Sequence, residues 1–462
     1  MNQELPEIKT AQLILSNTER LGLASVTLDY MPDFINWLAE TENYPKFHWR
    51  NRTAELEIAA AGIALGYSEG AGDKFSNLLI KASDLMHSSG LSGELALVSL
   101  IQFDGSSHST GLWEGFPVNT VFLPNLYLLR KGTTVKVVRA ARIFNDNQLE
   151  ELKQQLQRDL LTFRNIPLDC RLCDAKYPGV ISSLNLPEWP GWQGKVKEAL
   201  DEIKGGQLRK IVLGRRTDYT LEDKLDPYSF YRVVLPEAQR NYQTYYSPSA
   251  GGAFISLSPE LLLAYHNGTV SADVMGGTVA RGAGPQEESA NTQELCRSAK
   301  LRLEHNIIRD ELLEKFRRDL TDVNCRDLEV VKLSSVQHLH SVVSGSTKSY
   351  TTALGLLSEV HPTAAVAGIP RRQAISRIRE LEPFHRGLYT GFAGVFLEDS
   401  FECNVLIRSA LVRGNKLSVF AGCGIVAGSQ AKSEWHELDI KTEVFKRCLS
   451  LTADSRQAAA AG

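Results

Sequence analysis

Two stretches limit what this chain can become: GAFISLSPELLLAYHNGTVSADV at 252–274 and GFAGVFLEDSFECNVLIRSALVRGNKLSVFAG at 391–422. Each reads as a meander of short strands. The first is broken at Ser258-Pro259 and turned at Asn267-Gly268, a pair whose tolerance of left-handed backbone closes a two-residue hairpin. Between the meanders a helical period runs from about Thr292 to Leu320. Antiparallel strand groups with helices inserted predict an α+β fold, with large antiparallel β-sheets packed as a sandwich and helices outside.

The first part of the chain fits the same scheme. It holds the apolar runs ELALVSLIQF and TVKVVRAARIF, then a helical stripe of Leu149, Leu152, Leu156 and Leu160. The cluster LPEWPGW at 186–192 is the one candidate boundary, which divides the chain into 1–188, an N-terminal region of the same sandwich, and 189–455. Beyond it, Val196, Leu200 and Ile203 share a helix face stopped by Gly205 and Gly206, and RKIVLGRR reads as a strand. The alanine-rich end, 456–462, reads as a disordered tail.

Composition narrows the function. The formal net charge of −3 over 462 residues implies no basic face, so nucleic acid is not an expected partner. The N-terminus is polar and acidic where a signal peptide is basic and then apolar, and no run approaches the ~18 apolar residues of a membrane span. A cytoplasmic protein without a membrane partner is expected. Seven cysteines, an odd number, suit reduced thiols, and the Cys170/Cys173 C-x-x-C lacks the second ligand pair of a zinc site. Signatures of P-loop NTPases, zincins and serine hydrolases are missing.

The segment FAGCGIVAGSQAKSEWHELDIKTEVF, 420–445, suggests a strand, a glycine loop and a helix start. Its glycines, Gly422, Gly424 and Gly428, are spaced G-x-G-x-x-x-G, and too little chain follows for the second strand of a dinucleotide site. Carboxylates at Glu434, Glu437 and Asp439 follow instead. Glu437 shares a face with Ile440, Val444 and Cys448, and Glu304 falls on the apolar stripe of Leu301, Ile308 and Leu312. A buried carboxylate must be paired, protonated or metal-bound. Glu304 can pair with an arginine and Glu437 can be a first-turn acid. If both face one cavity, a hard cation such as Mg²⁺ is natural, with an organic anion between it and the glycine amides. His338 and His340 share a strand face but lack a third ligand.

In order along 208–441, LRKIVLGRRTD, SLSPELLL, GGTVA, RLEHNIIRDEL, VQHLHS, HPTAAVAGIPR, EPFHRGLYTGFAG, FECNVLIRSA and AGCGIVAGS…EWHELDIK together resemble the chorismate-utilising enzymes. Among these the chain is most similar to menaquinone-type isochorismate synthases, and FHWRNR at 47–52 adds to that likeness. The resemblance implies an anthranilate-synthase-component-like fold, with 189–455 as the chorismate-binding catalytic region. It implies an isomerase that converts chorismate to isochorismate with Mg²⁺, adding water at C2 of the ring and losing the 4-hydroxyl. By the same resemblance Lys210 is the base, Glu260 the acid, and Glu304 and Glu437 the Mg²⁺ ligands. Gly277, Thr278, His338, Tyr389, Arg408, Gly422, Gly424 and Lys441 match substrate-binding positions.

Read alone, Lys210 is a lysine at a strand edge and Glu260 an acid in a turn. Relatives sharpen the expectation. Anthranilate synthases lack a lysine where Lys210 stands and take ammonia from a glutaminase, and aminodeoxychorismate synthases carry a lysine where this chain has Gly276. No glutaminase subunit is therefore expected, and the chain is expected as a monomer or weak dimer. Salicylate synthases usually show further acids where Leu301 and Ile440 stand. A salicylate synthase, a siderophore-pathway isochorismate synthase and a catalytically silent chorismate-binding module are the alternatives.

Overall fold

The computed structural model describes residues 7–460, apart from position 17, most of 70–94, 106–110 and 164–177. Cys170 and Cys173 lie outside the described residues. Backbone hydrogen bonds join 21 strands into one network, and every described pairing is antiparallel.

Why the strands read as near-continuous apolar runs becomes clear from where successive side chains go. Val137 belongs to a cluster under the helices and Val138 to the central core; Ile255 and Phe254, and Val419 and Phe420, divide in the same way. Alternation sends neighbours to opposite faces, and here both faces are covered. The central core takes Phe47, Ile58, Val98 and Phe122 from the first part of the chain, and Phe254, Leu263, Phe392 and Phe420 from the second. The outer cluster adds Trp37, Leu152, Leu156, Leu160 and Phe445 from helices. This is the expected sandwich with helices outside.

The two parts of the chain are also stitched through backbone. Lys46–Arg50 pairs with Tyr242–Ser249, and Leu97–Ile101 with Phe392–Phe396. The hairpin at Asn267-Gly268 forms as its sequence requires, with φ of 50° and 79°.

Two local expectations need correction. The helix expected from Thr292 to Leu320 is two helices, Pro285–Arg297 and Ala299–Asp319. Ser298 between them is extended, and its hydroxyl accepts from the Leu301 amide, so capping by serine wins over a continuous helical period. Gly422 and Gly424 belong to the strand Lys416–Ile425 rather than to a loop; only Gly428, with φ of 90°, lies in the turn. The LPEWPGW cluster supplies the first turn of the helix Trp189–Lys204, with Trp192 fully buried. The last helix, Ala431–Ala460, extends into the segment expected as a tail.

One buried ion pair fastens the region where the site forms. Arg386 holds Glu382, the carbonyls of Val366 and Val212 at 2.8 and 2.9 Å, and the Thr390 hydroxyl at 3.3 Å. Glu382 also accepts from the Gly214 amide at 2.6 Å. Breaking such a pair leaves a buried charge without its partner. Glu382→Ala is expected to cost about 3–5 kcal/mol in urea unfolding; a loss below about 1 kcal/mol, as for an exposed pair, would contradict this role.

Candidate active site

A cleft opens between the strand Lys416–Ile425, the strands Thr269–Ala280 and Val336–Ser346, and the segment carrying Tyr389. Glu260, Gly277, Thr278, Glu304, His338, Tyr389, Arg408, Gly422, Gly424 and Lys441 all line it. Lys210 and Glu437 stand one contact behind, each touching a lining residue. The twelve expected positions therefore converge. Met275, Val366, Ile407 and Phe420 give the cleft its apolar surface.

Backbone geometry builds the first wall. In a strand, the N–H and C=O of one residue point to the same side, and alternate residues share that side. Gly422 pairs with Gly214 across from Lys210–Leu221, yet its carbonyl accepts from the Lys441 ammonium at 2.8 Å. The polar groups of Gly422 and Gly424 therefore face the open edge. A Cβ at Gly424 would come within 2.1 Å of the Glu304 carboxylate and 2.7 Å of Lys210 Cε. Only glycine leaves room there for a buried acid and a buried base.

Glu304 projects from the helix Ala299–Asp319 with its Oε1 3.3 Å from Lys210 Nζ. Its Oε2 accepts from the Gly277 amide at 3.3 Å. That amide is free because the ladder between Thr269–Ala280 and Val336–Ser346 slips at Gly277, which has φ of 70°. Burial alone would raise the Glu304 carboxyl, but Lys210, Lys300 and Lys441 together hold it below its ordinary range. Lys210 is completely buried, and its ammonium finds no well-directed hydrogen-bond acceptor among the described residues.

On the last helix, Glu437 pairs with Lys441 at 2.6 Å, and Glu434 pairs with Lys300. Glu434 was legible only as a first-turn acid. It is 1% exposed, and burial followed by the neighbouring Glu437 raises its carboxyl. Lys300 carried no signal in sequence beyond its place on a helix.

The third wall is a donor array. His338 Nδ1 lies 3.3 Å from the Gly277 carbonyl and 3.1 Å from the Thr278 hydroxyl, while Nε2 lies 3.3 Å from the Arg408 guanidinium. A carbonyl only accepts and a guanidinium only donates, so Nδ1 carries the proton and Nε2 accepts. Burial, then Arg408 and Lys441, hold His338 well below its ordinary range, in keeping with a neutral ring. Burial brings even Arg408 down to about 10. Tyr389 stacks on Phe420 at 5.2 Å and closes the floor. His340 points elsewhere, to Asp273 at 3.0 Å and Glu329 at 2.8 Å.

Glu260 follows the strand Gly252–Ser258 and is 4% exposed. Burial above all, then the nearby Asp273, pushes its carboxyl up to about 8, against partial relief from Lys210, Lys441 and His340. The cleft thus holds a carboxylic acid that keeps its proton at neutral pH, a fully buried lysine against an ionised carboxylate, and donors for an anion.

These features make a cleft that can receive a small anion among buried acids, lysines and an arginine. The family model for chorismate binding enzymes matches residues 8–450, and the chain belongs to that family. It is 28% identical over 446 residues to the isochorismate synthase MenF of Haemophilus influenzae, covering 95% of this chain and 94% of that protein. It is 31% identical to the chloroplastic isochorismate synthase 2 of Arabidopsis thaliana, over 76% of this chain and 63% of that one. In structure it is similar to MenF, the menaquinone-specific isochorismate synthase of Escherichia coli, with a TM-score of 0.78, 24% identity and coverage of 97% and 96%. Anthranilate synthase component I of Streptococcus pneumoniae shares the fold at a TM-score of 0.68 and 21% identity, over 85% of this chain and 92% of that one.

Glu260 carries a stability consequence. Its folded value of about 8 lies above the ordinary 4.5, so between those limits the folded state binds more protons and stability falls as pH rises. Glu260→Gln removes the effect. The variant is expected to gain about 3 kcal/mol of unfolding free energy at neutral pH and nothing at pH values below the ordinary carboxylate range. Equal stability of variant and parent at both pH values would contradict a buried, protonated Glu260.

Proposed function

We propose that this protein is an isochorismate synthase, a Mg²⁺-dependent isomerase acting on chorismate, and that it serves menaquinone synthesis without a glutaminase subunit. The observation that carries the reaction is the convergence on one cleft of a buried acid, Glu260, whose carboxyl burial and Asp273 push up, and a fully buried lysine, Lys210, held just behind the lining by Glu304. The menaquinone assignment follows the names of relatives.

The donor set fits a hard cation. Glu304 and Glu437 come from two helices, are largely buried, and have lysines as partners rather than arginines in fixed forks. Mg²⁺ commonly takes one or two carboxylates and keeps waters or substrate oxygens in its other positions. These two residues would hold it, and when bound it would supply positive charge to a substrate carboxylate.

The chain's own groups divide the work. Water must be added at C2 while the hydroxyl leaves C4, so a proton is removed at one position and supplied at another. Lys210 accepts the proton of the attacking water only after its ammonium has given up a proton to solvent, a loss that burial and a cation held at Glu304 would favour. Glu260 delivers its proton to the departing hydroxyl and leaves as carboxylate. Arg408, the neutral His338 that orients it, Thr278 and the open amide edge at Gly422 and Gly424 bind the substrate's carboxylates. Tyr389 and the apolar residues exclude water from the remaining faces.

The test is turnover of chorismate with Mg²⁺, with products separated by chromatography. Lys210→Ala and Glu260→Ala are each expected to lower kcat about 10²–10⁴-fold with substrate still bound, and the double variant to be little worse than either. A Lys210→Ala enzyme with near-normal kcat would remove the base. Glu437→Gln should sharply weaken metal-supported activity, and full activity of that variant in excess chelator would remove the metal assignment.

A further inference from the structure

Arg52 belongs to the N-terminal FHWRNR segment, far in sequence from every expected site residue, yet it reaches the back of Glu260. Its guanidinium donates to the Pro259 carbonyl at 3.1 Å and to Asp273 Oδ2 at 2.7 Å. The same Oδ2 accepts from the Leu261 amide at 2.9 Å. The residues on both sides of Glu260 are therefore tied to one Arg52–Asp273 pair. Glu260's own amide faces the Ser258 hydroxyl at 3.2 Å, and its carbonyl accepts from the Val405 amide at 3.2 Å.

Asp273 is inaccessible to solvent. Its other oxygen meets His340 Nε2 at 3.0 Å, and His340 Nδ1 meets Glu329 at 2.8 Å. Burial would raise Asp273, yet His340, Arg52 and the Leu261 amide outweigh it and keep the carboxylate ionised. His340 in turn sits above its ordinary value, because the two carboxylates overcome its burial. Arg52 lies 5.2 Å from the Tyr242 ring, and the Tyr242 hydroxyl donates to Glu402 at 2.6 Å. No hydrogen bond or ion pair among the described residues joins this chain of partners to Glu304 or Glu437, and the substrate-binding roles above leave it unused.

We propose that Asp273, clamped between Arg52 and His340, is a positioning residue: a fixed negative charge behind Glu260 that aims this carboxyl and keeps it a proton donor. The proposal rests on the reading of Glu260 as the acid. Two carboxylates in one dry place cannot both ionise cheaply, and the one with the cationic partners takes the charge. Asp273 has Arg52, His340 and a backbone amide, whereas the cations that reach Glu260 are Lys210 and Lys441, each paired with Glu304 or Glu437, and His340, which is paired with Asp273 itself. The proton therefore stays on Glu260. This gives the N-terminal region a part in the chemistry, since Arg52 is the only link in the clamp that it supplies among the described residues.

The groups that bear on Glu260 are Asp273 and His340 from two adjacent strands, Lys210 from Lys210–Leu221 and Lys441 from the last helix. Those that bear on the clamp are Tyr242, Glu402, Glu329, His338 and, from the helix Ala299–Asp319, His305. Changing Asp273 alone leaves all of these in place. Asp273→Asn keeps an acceptor for Arg52 or the Leu261 amide and deletes the charge.

The experiment is the pH profile of kcat on chorismate with Mg²⁺, together with infrared titration of the Glu260 carboxyl band, which is assigned by its loss in Glu260→Gln. In Asp273→Asn the alkaline limb and the band are expected to move to lower pH by about one unit. Arg52→Gln removes a cation while His340 and the Leu261 amide keep Asp273 ionised, so it should move both to higher pH. Opposite shifts support the clamp. An unmoved band in either folded variant, or shifts in the same direction, would overturn it. If Glu260→Gln keeps its kcat, the acid assignment falls, while the infrared band still reports whether Asp273 governs the proton.

Discussion

Lys210 and Glu304 face each other at 3.3 Å where solvent reaches the lysine not at all and the acid hardly. Neither charge could be buried alone without a cost of several kcal/mol. Much of the local structure follows from accommodating them together. Gly424 gives up a side chain so that both fit, the bulge at Gly277 turns an amide toward the carboxylate, and the Arg386–Glu382 pair fixes the strand that begins at Lys210. Lys300 and Lys441 then balance the acids of the last helix. The result is a concave surface that gathers acids and lysines, with Glu260 standing apart because the charge that acts on it most strongly is another carboxylate.

The framework is one that relatives with different printed names share. Anthranilate synthase component I has the same fold at low identity, so the architecture does not choose the reaction. What distinguishes proposals for this chain is local: a lysine at 210, a glycine at 276, and an acid at 260 with a negative charge behind it. Gly276 packs so closely that a Cβ would stand 2.9 Å from Ile308 and 3.1 Å from the His305 backbone. A long side chain there would need the helix Ala299–Asp319 to move, which is a physical reason for setting aside an aminating lysine at that place.

Sheets, the hairpin at Asn267-Gly268 and the buried face of the leucine stripe could be read from period and turn chemistry, because each is a local rule satisfied by neighbours in sequence. Glu304 and Glu437 could be singled out for the same reason, as acids at apolar helical positions. Lys210 and Glu260 could not. Nothing within ten residues of either says that it is buried; the burial comes from Gly424, Glu304 and Asp273, all distant in the chain, so only the resemblance to a known family marked them. In sequence Gly422 and Gly424 read as a loop because glycine is a turn residue by preference, whereas the empty Cβ positions are filled by side chains from other elements. Ser298 and Glu434 show the same limit: a cap inside a helical pattern and an acid in a first turn each have an ordinary local reading that distant packing overrides.

Under the proposed function, two separated groups move protons while a ring hydroxyl is replaced by one from solvent. Incubating the protein with chorismate and Mg²⁺ in oxygen-18 water, then analysing the product by chromatography and mass spectrometry, tests it directly. Isochorismate carrying one solvent-derived oxygen is the expected result. Isochorismate without label would contradict water addition at C2, and salicylate, an aminated product or unreacted chorismate would contradict the assignment of the reaction itself.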